Sequence, residues 1–102
     1  MAKIKKERPS RKPSHPGEIL KELWLDELGY SQAAFAEMLV EATKNETKKT
    51  TMQTKLNEVI SGKRAMSADF AVLISKVLKT SPKMWMNLQV QLDIWVAEMN
   101  VA

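Results

Sequence analysis

Two short segments near the middle of this chain, Ser31 to Leu39 and Met52 to Arg64, carry apolar residues at helical spacing, with helix-start and helix-stop signals around them. Ser31 is suited to cap the first N–H groups of a helix whose Phe35, Ala36, Met38 and Leu39 share one narrow face. The second helix is predicted to start after Thr50 or Thr51, to bury Leu56, Val59 and Ile60, and to run to Ser61. Gly62 ends it, because glycine adopts the left-handed conformation of a helix terminus without steric cost. Together the pair outlines a helix-turn-helix, with one departure. Such a turn needs three or four residues, whereas twelve, Val40 to Thr51, lie between these helices and read as an inserted loop over 40–51. Lengthening a surface loop costs only about 0.6 kcal/mol per doubling, so chain entropy tolerates the insertion. Geometry is the more sensitive quantity, since a short turn fixes the angle at which the second helix is presented.

The flanking sequence completes an all-α domain over 15–99. A first helix opens at His15 and Pro16, with Glu18 placed favourably against the helix dipole. Its Ile19, Leu20, Leu23, Trp24 and Leu28 recur at three- and four-residue spacing as core scaffold, and Gly29 closes it. Ser67 caps a fourth helix that turns Phe70, Leu73, Ile74, Val77 and Leu78 inward. Ser81 and Pro82 open the last, over 82–99. Seven Met and three Trp against three Gly, with few alternating β-branched runs, agree with helices. At 102 residues and 44% hydrophobic the chain suits one small domain. Residues 1–14, rich in Lys, Arg, Pro and Ser, have almost nothing to bury and read as a disordered basic arm.

The net charge of +4 is unevenly spread. Residues 1–13 hold six bases and one acid, residues 14–43 one base and six acids, and residues 44–64 six bases and two acids, while the remainder balances. The basic excess therefore falls on the arm and on the second half of the helix-turn-helix, where phosphates lie if such a motif docks on DNA. The face of the second helix opposite its apolar stripe presents Gln53, Thr54, Asn57 and Glu58. Amide and hydroxyl side chains of this kind can read base edges, Gln pairing with adenine and Thr meeting an acceptor or the thymine methyl. An ordinary solvated charged face accounts equally well for the composition taken alone.

Other function classes find little support. His15 is the only histidine, there is no Cys, and Glu41, Glu46 and Asp69 lack metal-ligand spacing, so neither a catalytic nor a metal site is expected, and no cofactor. The basic arm has no interleaved aromatic anchors for a membrane surface, and without a signal peptide or long apolar run the cytoplasm is the expected location. The last helix spaces Trp85, Leu88, Leu92, Trp95 and Met99 at alternating intervals of three and four residues, the seam used by two packed helices. Its first part suits the monomer core. Its second part, with Leu92, Trp95, Val96 and Met99, is the expected homodimer surface, unless the monomer uses the whole seam.

The joint occurrence of His15 to Leu20, Ser31 to Ala33, Ile60 to Arg64, Ser67 to Asp69, Ser81–Pro82, Trp85 to Gln89 and Asp93 to Trp95 resembles the HigA/VapI-type antitoxins. These are Xre-type, lambda-repressor-like helix-turn-helix proteins, and the resemblance spans roughly residues 15 to 97. It implies a five-helix domain that binds, as a dimer, an operator before its own operon and neutralises a RelE/HigB-like mRNA-cleaving toxin. It also implies that Gln32 contacts phosphate or positions its helix, that Gln53, Thr54 and Glu58 occupy base-reading positions with Lys55 beside them, and that Ser61, Lys63 and Arg64 approach the backbone. Glu58 is the odd member, because a carboxylate repels phosphate and has to accept from a cytosine amino group to contribute. The turn glycine of the family is absent. Lengthening of the helix that starts at Ser31 so that the extra residues bulge away, added phosphate contacts from a Lys-rich loop, or a blocked groove in a protein that keeps only its toxin partner are the three consequences open to that departure. A protein-interaction module without DNA reading, and a stand-alone Xre-type regulator, stand as the alternatives to an antitoxin.

Overall fold

The computed structural model describes residues 11–44 and 46–101. Of the arm expected over 1–14, residues 1–10 lie outside the described residues, and 11–14 run without regular structure to His15. Five helices follow, and no strand occurs among the described residues. We label them α1 (16–28), α2 (Gln32–Ala42), α3 (Lys49–Ile60), α4 (Ala68–Leu78) and α5 (Pro82–Val101). Helix α2 packs on α3, α4 packs on α5 and α2, and α1 lies against α3 and α5. Their shared core holds Leu20, Leu25, Phe35, Leu39, Leu56, Val59, Phe70, Ile74 and Trp85.

Most helix ends follow the sequence signals. The Ser31 hydroxyl accepts from the Ala34 N–H at 3.0 Å and the Ser67 hydroxyl from Phe70 at 3.2 Å. Gly29 and Gly62 close their helices at φ 76° and 81°. At the start of α1 the cap is His15, whose Nδ1 accepts from the Gly17 N–H at 2.8 Å.

Three expectations change. Helix α1 is not uniformly α-helical: Pro16–Ile19 and Asp26–Leu28 flank a wider π-helical stretch, Leu20–Leu25. A π turn holds more residues than an α turn, so the buried pair becomes Leu20 and Leu25, five apart. Leu23 and Leu28, expected inside, are 60% and 51% exposed. Second, the inserted loop over 40–51 is only half as long as expected. Helix α2 continues through Ala42 and α3 begins at Lys49, leaving Thr43 to Lys48 as connector. Val40 is half-buried against the core and Met52 is buried in it, which favours helix over loop on both sides, and an ion pair between Lys49 and Glu37 ties the added first turn of α3 to α2. Lys44, at φ 59°, turns the chain out of α2. Third, α5 runs two residues beyond 99, and Leu92 is only 7% exposed within the monomer, whereas Val96 and Met99 are 40% and 45% exposed.

Candidate nucleic-acid interface

Helix α3 faces two ways because its period sorts residues sharply. Met52, Leu56 and Val59 point into the core, so residues 53, 54, 57 and 61 fall on the outer half of the same cylinder. Against that outer face lies the first turn of α2. Gln32 and Ala33 join Gln53, Thr54, Asn57, Glu58, Ser61 and Lys63 around one shallow concave surface. Six of these eight residues offer an amide, hydroxyl or carboxylate, and Lys63 alone adds positive charge. The sequence-predicted residues, separated by up to 31 positions along the chain, are thus brought side by side.

Lys55 and Arg64 do not join that surface. They line a neighbouring hollow with Thr51 and Thr54, on the other flank of α3. The Lys55 ammonium sits 5.4 Å from the centre of the Phe70 ring, an arrangement in which a cation rests on the negative face of an aromatic. The Arg64 guanidinium reaches back to Glu58, with Nε donating to Oε1 at 2.8 Å. Glu58, the odd member among the expected base-reading positions, therefore has an ionic partner on its own surface. Lys49, a candidate phosphate contact in a Lys-rich loop, is taken up by Glu37.

The turn following α3 is braced from behind. The Glu58 carbonyl accepts from the N–H groups of Lys63 and Arg64 at 2.8 and 3.1 Å. Gln89 on α5 is 5% exposed; its Oε1 accepts from the Met66 N–H at 2.8 Å while its amide donates to Asp93 at 2.9 Å. The His15 ring lies against the same turn, beside the Arg64 backbone. Gly17, on α1, fits where nothing larger does, since a Cβ there would stand 1.9 Å from the Val59 carbonyl oxygen. These supports were not legible as such. Gln89 and Gly17 belong to strings that carry the family resemblance, but no local pattern states what they do, and only the arrival of α3 and the 61–66 turn beside them gives them a role.

Among the described residues no group of three His, Cys, Asp or Glu could hold a metal ion, and no helix is long and apolar enough to cross a membrane.

Comparison with known proteins places this arrangement among helix-turn-helix proteins. An HTH-type transcriptional regulator from Haemophilus influenzae is 30% identical over 91 residues, covering 89% of this chain and 76% of its own. The solved structure of antitoxin GraA superposes with a TM-score of 0.72 at 35% identity, over 89% of this chain and 87% of that one. The Pseudomonas aeruginosa antitoxin HigA, solved with the higBA promoter, gives 0.67 at 34% identity, over 86% and 85%. No family model matches the chain.

Proposed function

Because this chain belongs to the HTH-type transcriptional regulators whose structures include the HigA-type antitoxins, we propose that it is the antitoxin of a type II toxin–antitoxin pair, acting in the cytoplasm. On this reading it binds an operator before its own operon as a homodimer and represses it, and neutralises a RelE/HigB-like mRNA-cleaving toxin. Helix α3 is the recognition helix.

The observation that carries the DNA reading is the concave surface formed by the start of α2 and the outer face of α3. Gln32, at the first residue of α2, is placed to fix the protein on a phosphate while Gln53, Thr54 and Asn57 approach base edges. Ser61 and Lys63, just past the helix, supply backbone contacts that position without reading sequence, and Lys55 adds positive charge on the flank. The shortened connector supports the same reading. It leaves the two helices packed on each other and halves the length of chain that can bulge between them. For the dimer, the support is the apolar surface of α5, where Val96 and Met99 are 40% and 45% exposed with Trp95 half-buried beside them. Leu92 contributes from beneath rather than as open surface.

The direct test is fluorescence anisotropy with a duplex from immediately upstream of the gene and a scrambled duplex, at two salt concentrations. The proposal expects selective binding that survives the higher salt. Binding that is equal for both duplexes and abolished by salt would leave only a basic surface. Co-expression with the adjacent reading frame tests the toxin: a stable complex and rescue of growth are expected, and growth arrest unaffected by this protein would count against an antitoxin.

A further inference from the structure

Glu58 lies four residues after Thr54 and so shares the outward side of α3, where a bare carboxylate would repel phosphate. It is not bare. Its Oε1 accepts from Arg64 Nε at 2.8 Å and stands 2.7 Å from Arg64 Nη2. Its backbone carbonyl at the same time holds the N–H groups of Lys63 and Arg64. Residue 58 thus grips residue 64 at both ends, by backbone and by side chain.

A guanidinium is planar and has two donor edges. The Nε–Nη2 edge is turned to Glu58. The Nη1–Nη2 edge points away from it and has no partner among the described residues, and the Arg64 side chain is 48% exposed beside Thr51, Thr54 and Lys55. Two parallel donors in a fixed plane match the O6 and N7 acceptors of guanine in the major groove. An exposed ion pair contributes little to stability, so what this pair changes is direction. Without Glu58, a long arginine side chain samples many rotamers and touches phosphate or base indifferently.

We propose that Glu58 is a positioning residue that aims Arg64, and that Arg64, held in this way, reads a guanine edge while Glu58 itself reads no base. The inference rests on α3 being the recognition helix. It differs from a reading in which Glu58 accepts from cytosine and Arg64 merely adds backbone affinity.

The experiment measures anisotropy-derived affinities for the upstream and scrambled duplexes with the unaltered chain, Glu58→Ala, Arg64→Ala and the double variant. Thermal midpoints confirm that each is folded, and Glu58→Met, which keeps the side-chain length but offers Arg64 no carboxylate, stands in should Glu58→Ala fail to fold. Removing Glu58 is expected to lower the ratio of upstream to scrambled affinity about tenfold while tightening binding to the scrambled duplex, since a negative charge is lost. Arg64→Ala should lower the ratio as much, and the double variant no further. A ratio unchanged in Glu58→Ala overturns the positioning role. A further fall on removing Glu58 from Arg64→Ala would make Glu58 a direct reader and overturn it too, and an equal loss on both duplexes in Arg64→Ala would assign its donors to phosphate. If the unaltered chain shows no selectivity, the DNA reading itself fails, an outcome distinct from selectivity that survives without Glu58.

Discussion

His15 joins two parts of the molecule that sequence separates widely: the start of α1, which it caps through Nδ1, and the turn after α3, which it meets at the Arg64 backbone. Its pKa is lowered, chiefly by burial. The Arg64 backbone opposes this, Lys12 adds to the lowering, and Asp93 and Glu18 favour the charged form. A histidine whose folded pKa lies below its unfolded value keeps full stability above the unfolded pKa of about 6.5 and loses it as pH falls from that value through the lower folded one. The thermal midpoint should therefore drop between about pH 7.5 and about pH 5.5. His15→Ser, which retains a capping oxygen, should flatten that drop, and an undiminished drop would assign it to other groups. At the same scale, Gln53→Ala and Thr54→Ala should each lower discrimination between the upstream and scrambled duplexes by roughly 1 to 3 kcal/mol, whereas Lys63→Ala should weaken both about equally. Identical behaviour of the two kinds of variant would remove α3 from base reading.

Elements show where periodicity succeeds and where it misleads. The caps at Ser31 and Ser67 and the stops at Gly29 and Gly62 were legible because each acts through its own backbone within a few residues. The interior of α1 was not, because Leu20 and Leu25 share the core only across a π-helical stretch that no local pattern announces. The connector was over-read for a similar reason. Thr50, Thr51 and the lysines have no helical pattern, yet Met52 anchors α3 in the core and the ion pair of Lys49 with Glu37 fastens its first turn. Gly17 is the element-scale test of this packing. In Gly17→Ala the added Cβ would meet the backbone of Val59 and Ile60, which cannot rotate away. A stability loss of about 3 kcal/mol is expected, toward the upper end of overpacking costs, measured by urea unfolding. A near-neutral change would mean that α1 and α3 slide apart easily.

For the whole molecule, α5 is 20 residues long, about 30 Å at helical rise, and the core uses its first half. Trp85 packs against Trp24 with ring centroids 6.3 Å apart and donates to Thr80 at 2.8 Å. Beyond Leu92 no residue of α5 is buried. Val96→Asp puts a charge on the proposed dimer surface without disturbing a buried side chain, and Trp95→Ala removes its aromatic. Light scattering should show both shifting from dimer toward monomer, with selective DNA binding weakened because two linked half-sites hold better than one. An unchanged dimer mass would place the interface elsewhere.

The sequence by itself determined the helical class, the number of helices, the caps at most of their ends and the polar composition of the outer face of α3. All of these follow from patterns that repeat within one or two helical turns. Tertiary structure alone decided which residues stand together. It set Gln32 beside Gln53 and Asn57, turned Arg64 onto Glu58 and placed Gln89 and Gly17 behind the presented face. It also committed Leu92 to the monomer core while leaving Val96 in contact with water. The physical reason is range: local backbone and capping interactions are written in neighbouring residues, whereas packing depends on surfaces that meet only after the chain has folded.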